Sequence, residues 1–115
     1  MIYGLIHPGS GIGNQLHRYL MTRVLAEDTK SKWGMVGQEY WKANFIKCDL
    51  GADLPHRVQY PEGRIRVDSP IRHFQEKRVS EDGIDISPYD PEINFVTEGV
   101  IDGEFQDERY FKHLS

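Results

Sequence analysis

The feature that most constrains this chain is its first 28 residues, where a short apolar run leads through a glycine-rich turn into an amphipathic segment. Residues 2–6 form the apolar run, and a turn containing Pro8 and three glycines follows. Beyond the turn, apolar side chains recur at helical spacing, and Asn14 is a favoured helix N-cap. The pattern predicts a buried strand over residues 2–6 and a helix over residues 14–28.

Later apolar stretches extend this pattern to an α/β domain. Residues 33–37 predict a second strand, so strand, helix and strand follow one another and favour a parallel pair. We also expect strands over residues 64–68 and 97–105, and helices over residues 39–47 and 108–114.

Composition excludes several classes of protein. The length of 115 residues fits one domain, so we expect residues 1–115 to form a single α/β domain. No apolar run approaches the ~18 residues of a membrane span, and the lone Cys48 excludes a disulfide scaffold. Residues 51–115 carry a net charge of -6, which argues against a nucleic-acid partner. One cysteine and no visible signal peptide make the cytoplasm the expected compartment.

The glycine-rich turn is the part of the sequence best suited to binding an anion. Gly9, Gly11 and Gly13 lack Cβ atoms that would keep a phosphate from backbone N–H groups, and a helix N-terminus adds about half a positive charge. A tight turn between strand and helix also uses glycine, so both interpretations stay open. His17 and Arg18 follow on the first helical turn, within reach of a phosphate or a sugar. The five histidines form no pair at metal-ligand spacing, so we expect no metal site.

A dinucleotide-binding fragment is one alternative for this turn. Its fingerprint spaces three glycines as G-x-G-x-x-G, whereas Gly9, Gly11 and Gly13 are spaced as G-x-G-x-G. Short-chain dehydrogenases also need a Tyr-x-x-x-Lys pair for proton transfer, and none of the six tyrosines here has a lysine four residues later. The sequence therefore disfavours an oxidoreductase.

Three segments, in order along the chain, carry a resemblance to a known family. Residues 11–16 read Gly-Ile-Gly-Asn-Gln-Leu, residues 88–93 read Pro-Tyr-Asp-Pro-Glu-Ile, and residues 102–111 read Asp-Gly-Glu-Phe-Gln-Asp-Glu-Arg-Tyr-Phe. They resemble the bacterial alpha-1,2-fucosyltransferase family, which carries a Gly-Gly-Leu-Gly-Asn-Gln-Met/Leu-Phe-Gln-Tyr signature and a Gly-Tyr-Phe-Gln-Ser-Glu-Lys-Tyr-Phe element. His17 and Arg18 stand where that signature has Phe and Gln.

The resemblance implies the N-terminal, Rossmann-like domain of a GT-B glycosyltransferase, truncated before its second domain. The donor would be GDP-fucose, the acceptor a glycan hydroxyl, and no metal or other cofactor would be needed. The family's donor motif, H-x-R-R-G-D-Y, is missing, because the sequence contains no Arg-Arg pair. We therefore expect no catalysis by these residues alone, and no residue identifies the catalytic base. The residues expected to bind the nucleotide sugar are Gly11, Gly13, Asn14, Gln15, His17 and Arg18.

A non-enzymatic module is the second interpretation, in which the glycine-rich turn binds an anion or a partner protein. Without a donor half, the side chains of the cleft would be exposed. For this interpretation we therefore expect self-association or binding of a partner protein.

Two other features predict turn or surface positions. His7, beside Pro8, could line the same cleft as the glycine-rich turn, but we expect it to be a turn histidine. A solvated acidic face is expected of Asp102, Glu104, Asp107 and Glu108.

Overall fold

A computed structural model describes the chain over residues 1–44, 47–54, 57–61, 63–67 and 71–111. One α-helix, α1, spans Ile12–Asp28. Short 3-10 helices span Gln38–Tyr40, Pro91–Phe95 and Glu108–Tyr110. The strands are β1 (Ile2–Leu5), β2 (Trp33–Val36), β3 (Arg57–Gln59), β4 (Ile65–Val67), β5 (His73–Gln75), β6 (Val79–Glu81), β7 (Ile84–Ile86) and β8 (Gly99–Asp102).

The centre of the fold is a four-stranded parallel sheet with the strand order β2-β1-β8-β5. Ile2 of β1 is in register with Trp33 of β2 on one side and with Gly99 of β8 on the other. The hairpins β3–β4 and β6–β7 form separate antiparallel pairs. The predicted α/β class and the predicted strand–helix–strand start with a parallel pair are confirmed.

The helix α1 begins two residues earlier than the sequence predicts. The prediction that Asn14 is the N-cap is wrong, because Gly11 occupies that position. The Gly11 carbonyl accepts the first helical hydrogen bond from the N–H of Gln15, at 3.1 Å. The first backbone N–H groups of a helix have no intrahelical acceptor. At this end of α1, no side chain caps them.

The helix α1 covers one face of the parallel sheet. Met21, Val24 and Leu25 are buried at helical spacing and pack in one cluster with Ile2 of β1 and Ile101 of β8. The predicted helix is therefore confirmed, although its buried face also includes Gln15 and Arg18.

The hairpin β3–β4 covers the opposite face. Ile65 and Val67 of β4 are buried against Leu5, Val36 and Val100 of the parallel sheet. Parallel sheets are normally buried on both faces, and here α1 buries one face and the β3–β4 hairpin the other.

The predicted helix over residues 39–47 is wrong. Only Gln38–Tyr40 forms a single 3-10 turn, and the described residues that follow it are not helical. The side chain of Gln15 explains the difference, because it bonds the carbonyl of Tyr40 and the N–H of Lys42, two groups that a continuing helix would use itself.

Three other predicted elements are shorter in the structure. The strand over residues 64–68 is confirmed by β4, and its last residue lies outside the described ranges. Of the strand predicted over residues 97–105, only β8 forms. The helix predicted over residues 108–114 begins as a 3-10 turn at Glu108–Tyr110, and residues 112–114 lie outside the described ranges.

Within the part of the chain that the structure describes, no helix has the length and apolar character needed to cross a membrane. The assignment of residues 1–115 to a single domain stays a prediction.

Candidate functional site

A cavity of about 750 Å3 lies at the carboxyl edge of the parallel sheet. His7 follows β1, Glu76 follows β5 and Asp102 ends β8, and all three line this cavity. The glycine-rich turn and the start of α1 contribute to its lining, and so does Arg64, just before β4. Parallel α/β sheets bind ligands in a crevice outside the carboxyl ends of their strands, so this is the expected location for a site.

His7 is buried and joins three parts of the fold. Its Nδ1 accepts a hydrogen bond from the backbone N–H of Ile65 at 3.0 Å, which places the ring proton on Nε2. Nε2 then donates to Oδ1 of Asp102 at 3.0 Å. The residue expected to be a simple turn histidine therefore ties β1 to β4 and β8.

Asp102 is the charged centre of the site. Arg18 donates to its Oδ1 at 2.6 Å, and Arg64 to its Oδ2 at 3.3 Å. Burial alone would raise the pKa of Asp102, but the hydrogen bond from His7 and the charge of Arg18 outweigh it and hold the pKa well below its ordinary value. Asp102 therefore stays ionised at neutral pH.

The prediction of a solvated acidic face is wrong for Asp102, which is 9% exposed. The reason is its position at the end of a central strand, where two arginines and a histidine surround the carboxylate. Of the other three acidic residues, Glu104 and Asp107 are half-buried and Glu108 is exposed.

Residues 103–106, here called the β8 loop, are held against the end of β5 by Glu76. Its Oε1 accepts hydrogen bonds from the backbone N–H groups of Glu104, at 2.8 Å, and Phe105, at 3.3 Å. A Cβ at Gly103 would lie 2.5 Å from the Cβ of Glu76, so only glycine fits this approach.

Phe105 fixes the β8 loop from its other side. Its backbone has a φ of 48°, a left-handed conformation that is unusual for a bulky residue. The fully buried ring packs edge-on against Tyr110, with 5.3 Å between ring centroids. Burial, together with neighbouring Glu76 and Asp90, raises the pKa of Tyr110 above its ordinary range. Aromatic packing therefore offsets the strain of the loop conformation.

The three segments that carry the family resemblance are in contact. Gln106 Nε2 donates to Oδ1 of Asn14 at 2.6 Å, which joins the β8 loop to the first turn of α1. The backbone N–H of Asp90 donates to the hydroxyl of Tyr110 at 2.9 Å, which joins residues 88–93 to residues 102–111. Asn14 also lines the cavity, so this contact lies at its rim.

The six predicted ligand-binding residues fall in different places. Asn14 and Arg18 line the cavity. Gln15 is fully buried, and its amide group bonds the backbone at Tyr40 and Lys42. Nδ1 of His17 donates a hydrogen bond to the carbonyl of Gly13, at 2.9 Å, and His17 does not line the cavity.

The other two predicted residues, Gly11 and Gly13, are exposed. A Cβ at either position would meet no atom within 4 Å, and neither residue has a positive φ. No described neighbour therefore requires glycine at these positions.

Sequence reasoning missed several residues of the cavity. His7, Arg64 and Glu76 gave no motif. Glu76 directly follows β5 and His7 lies two residues after β1, near the carboxyl ends of strands, where parallel sheets place binding residues. Lys77 and Arg78 also line the cavity, and Arg78 is paired with Glu104 at 2.6 Å.

A second cavity of about 330 Å3 adjoins the first on the side of the β3–β4 hairpin. Arg64, Gln75 and Asp102 line both cavities. Tyr60 and Phe74 add aromatic surface to the smaller one. The two spaces therefore offer one ligand a strongly charged region and a less polar one.

No family model, curated protein or solved structure matches the chain. Function is therefore inferred from the chemistry of the cavity and from the resemblance of its three segments.

Proposed function

We propose that the chain is a glycosyltransferase-like domain that binds the nucleotide sugar GDP-fucose in the cavity at the carboxyl edge of the sheet, as part of an alpha-1,2-fucosyltransferase. The hydrogen bond between Asn14 and Gln106 is the observation that carries this proposal. It joins two segments of the resemblance, 92 residues apart, at the rim of the cavity. A shared role at one site explains why both segments carry the signature.

The chemistry of the cavity supports a diphosphate-containing ligand. Sugar transfer needs the leaving diphosphate neutralised and a group that takes the proton of the acceptor hydroxyl. The basic side chains that line the cavity meet the first need, and these are Arg18, Arg64, Lys77 and Arg78. Asp102 is unsuited to the second, because its lowered pKa makes it a poor base at neutral pH. We assign no other residue as the base, in keeping with a domain that is expected to be inactive alone.

The Rossmann-like, GT-B assignment belongs to the same proposal. It is supported by the parallel strands and by α1, which follows β1 directly and presents its N-terminus at the carboxyl edge. In a GT-B enzyme, a second domain closes the cleft, so that domain and a glycan acceptor are the proposed partners. A cytoplasmic location is part of the proposal and is supported by the free thiol of Cys48.

Calorimetric titration of the chain with GDP-fucose, GDP and NAD tests the proposal. We expect heat from GDP-fucose and GDP and none from NAD. Asn14→Ala should weaken GDP-fucose binding about threefold to tenfold, since it removes a rim contact. Asn94→Ala is the matched control, because Asn94 is exposed and bonds Tyr89 outside the cavity lining.

Two results would contradict the proposal. Binding of NAD without GDP-fucose would favour the dinucleotide-binding fragment. Binding of none of the three compounds, with self-association in sedimentation, would favour the non-enzymatic module.

A further inference from the structure

Arg18 is buried in the cavity wall with most of its hydrogen-bonding capacity unused. The residue is 9% exposed, and its only hydrogen bond to a described residue by the guanidinium runs from Nη1 to Asp102. Nε is buried and has no acceptor among those residues. An arginine that is fixed at Nη1 therefore keeps the N–H of Nε unpaired within the described part of the chain.

The free edge has a defined chemical preference. Nε–H and Nη2–H of a guanidinium point in parallel from one side of a planar group, and this spacing matches two oxygens of a phosphate or carboxylate. A buried N–H without an acceptor is destabilising, so an acceptor at this position is strongly favoured. The contact with Asp102 holds the fork in place before any ligand arrives.

The charges around Arg18 favour an anion. Arg64, Lys77 and Arg78 line the same cavity, and the uncapped start of α1 adds backbone N–H groups. Carboxylates also line it, and most of their oxygens are engaged. Asp102 accepts from three side chains, Oε1 of Glu76 accepts from the β8 loop, and Glu104 is paired with Arg78. Among the described residues, Oε2 of Glu76 is buried and has no partner.

We propose that the Nε–Nη2 edge of Arg18 binds a phosphoryl group, and that Arg64, which lines the same cavity and bonds the other oxygen of Asp102, closes over the same group. Arg64 is suited to this movement, because its side chain is 57% exposed and its bond to Asp102 is long, at 3.3 Å. The identification of the group as the diphosphate of a nucleotide sugar rests on the proposed function. The phosphoryl site itself rests on Arg18 and its unused edge.

Titration of the chain with inorganic pyrophosphate tests this site. Arg18→Lys keeps a positive charge beside Asp102 but removes the planar pair of N–H groups, so we expect affinity to fall about tenfold or more. Arg64→Gln changes an exposed side chain and should lower affinity about threefold or more without loss of the fold. Arg23→Lys is the matched control on the same helix, because Arg23 is exposed and lies over Trp33, away from the cavity. Its affinity should equal that of the unaltered chain.

The outcomes separate this inference from the proposed function. Failure of pyrophosphate to bind the unaltered chain overturns the inference. So does unchanged pyrophosphate affinity in a folded Arg18→Lys variant, or in Arg64→Gln if Arg18→Lys does not fold. GDP-fucose binding that is indifferent to Arg18→Lys overturns the inference alone. Arg18-dependent pyrophosphate binding without any GDP-fucose binding overturns the proposed function alone.

Discussion

Replacing Gly13 by alanine tests both the start of α1 and the reason for the glycine. Gly13 is the second residue of the helix, its φ is not in the left-handed region, and an added Cβ meets no atom within 4 Å. Nothing in the folded chain therefore opposes alanine. Alanine is favoured over glycine within a helix by about 0.5–1 kcal/mol, so Gly13→Ala should stabilise the free chain by that amount.

The expected stabilisation corresponds to a measurable rise in Tm. At about 2.1 cal/mol/K per residue, a chain of 115 residues has an unfolding entropy of about 0.24 kcal/mol/K. A gain of about 0.5–1 kcal/mol then raises Tm by about 2–4 °C, which thermal unfolding followed by circular dichroism resolves. The matched control is Gly34→Ala, where the new Cβ would collide with the backbone carbonyl of Ala52, and Tm should fall.

A lower Tm for Gly13→Ala would refute this reasoning, because it would mean that position 13 is not an open helical site. The same variant also reports on the ligand. If the open surface at Gly13 admits a ligand or a partner, Gly13→Ala combines a higher Tm with weaker binding. Equal binding would show that the surface at position 13 is not used.

Two further predictions concern buried polar groups. Gln15→Ala should lower the free energy of unfolding by about 2–4 kcal/mol in urea, because it leaves a cavity and unpairs the backbone at Tyr40 and Lys42. A decrease below about 1 kcal/mol would contradict the role assigned to this amide. The pKa of Asp102 is lower in the folded chain than its ordinary value of 3.8, so the ionised carboxylate stabilises the fold fully when the pH is above 3.8. This stabilisation is lost progressively as the pH falls from 3.8 towards the folded-state pKa. Urea midpoints compared between about pH 7 and pH 3 should therefore fall less in Asp102→Asn than in the unaltered chain, and equal falls would contradict the assignment.

The elements predicted correctly are those whose signal is local. The first strand, α1 and β2 follow from apolar spacing within a few residues of each other. The strand β5 was missed because Phe74 is its only apolar residue, so a three-residue strand has no periodicity to detect. Its position is set by pairing with β8, in which Phe74 is in register with Ile101, 27 residues further along the chain. The stacking of Phe74 on Phe105 adds to this.

The site was predicted only where it lies close to the glycine-rich turn. Asn14 and Arg18 were identified because they follow that turn, and both line the cavity. His7 and Asp102 are 95 residues apart, and their pairing depends on β1 and β8 being neighbours in the sheet, which spacing does not reveal. Gln15 shows the opposite problem, since the same amide suits a sugar ligand and a buried backbone contact.

The central position of β8 also governs how this chain folds. β8 is the last strand among the described residues, yet it lies between β1 and β5. During synthesis, β1 and β2 emerge early, and the edge of β1 that later receives β8 stays unpaired until residue 102 has left the ribosome. Closing so long a loop before the sheet is complete makes folding slow, and leaves a nascent chain whose open strand edge is a target for chaperones or for pairing with another copy.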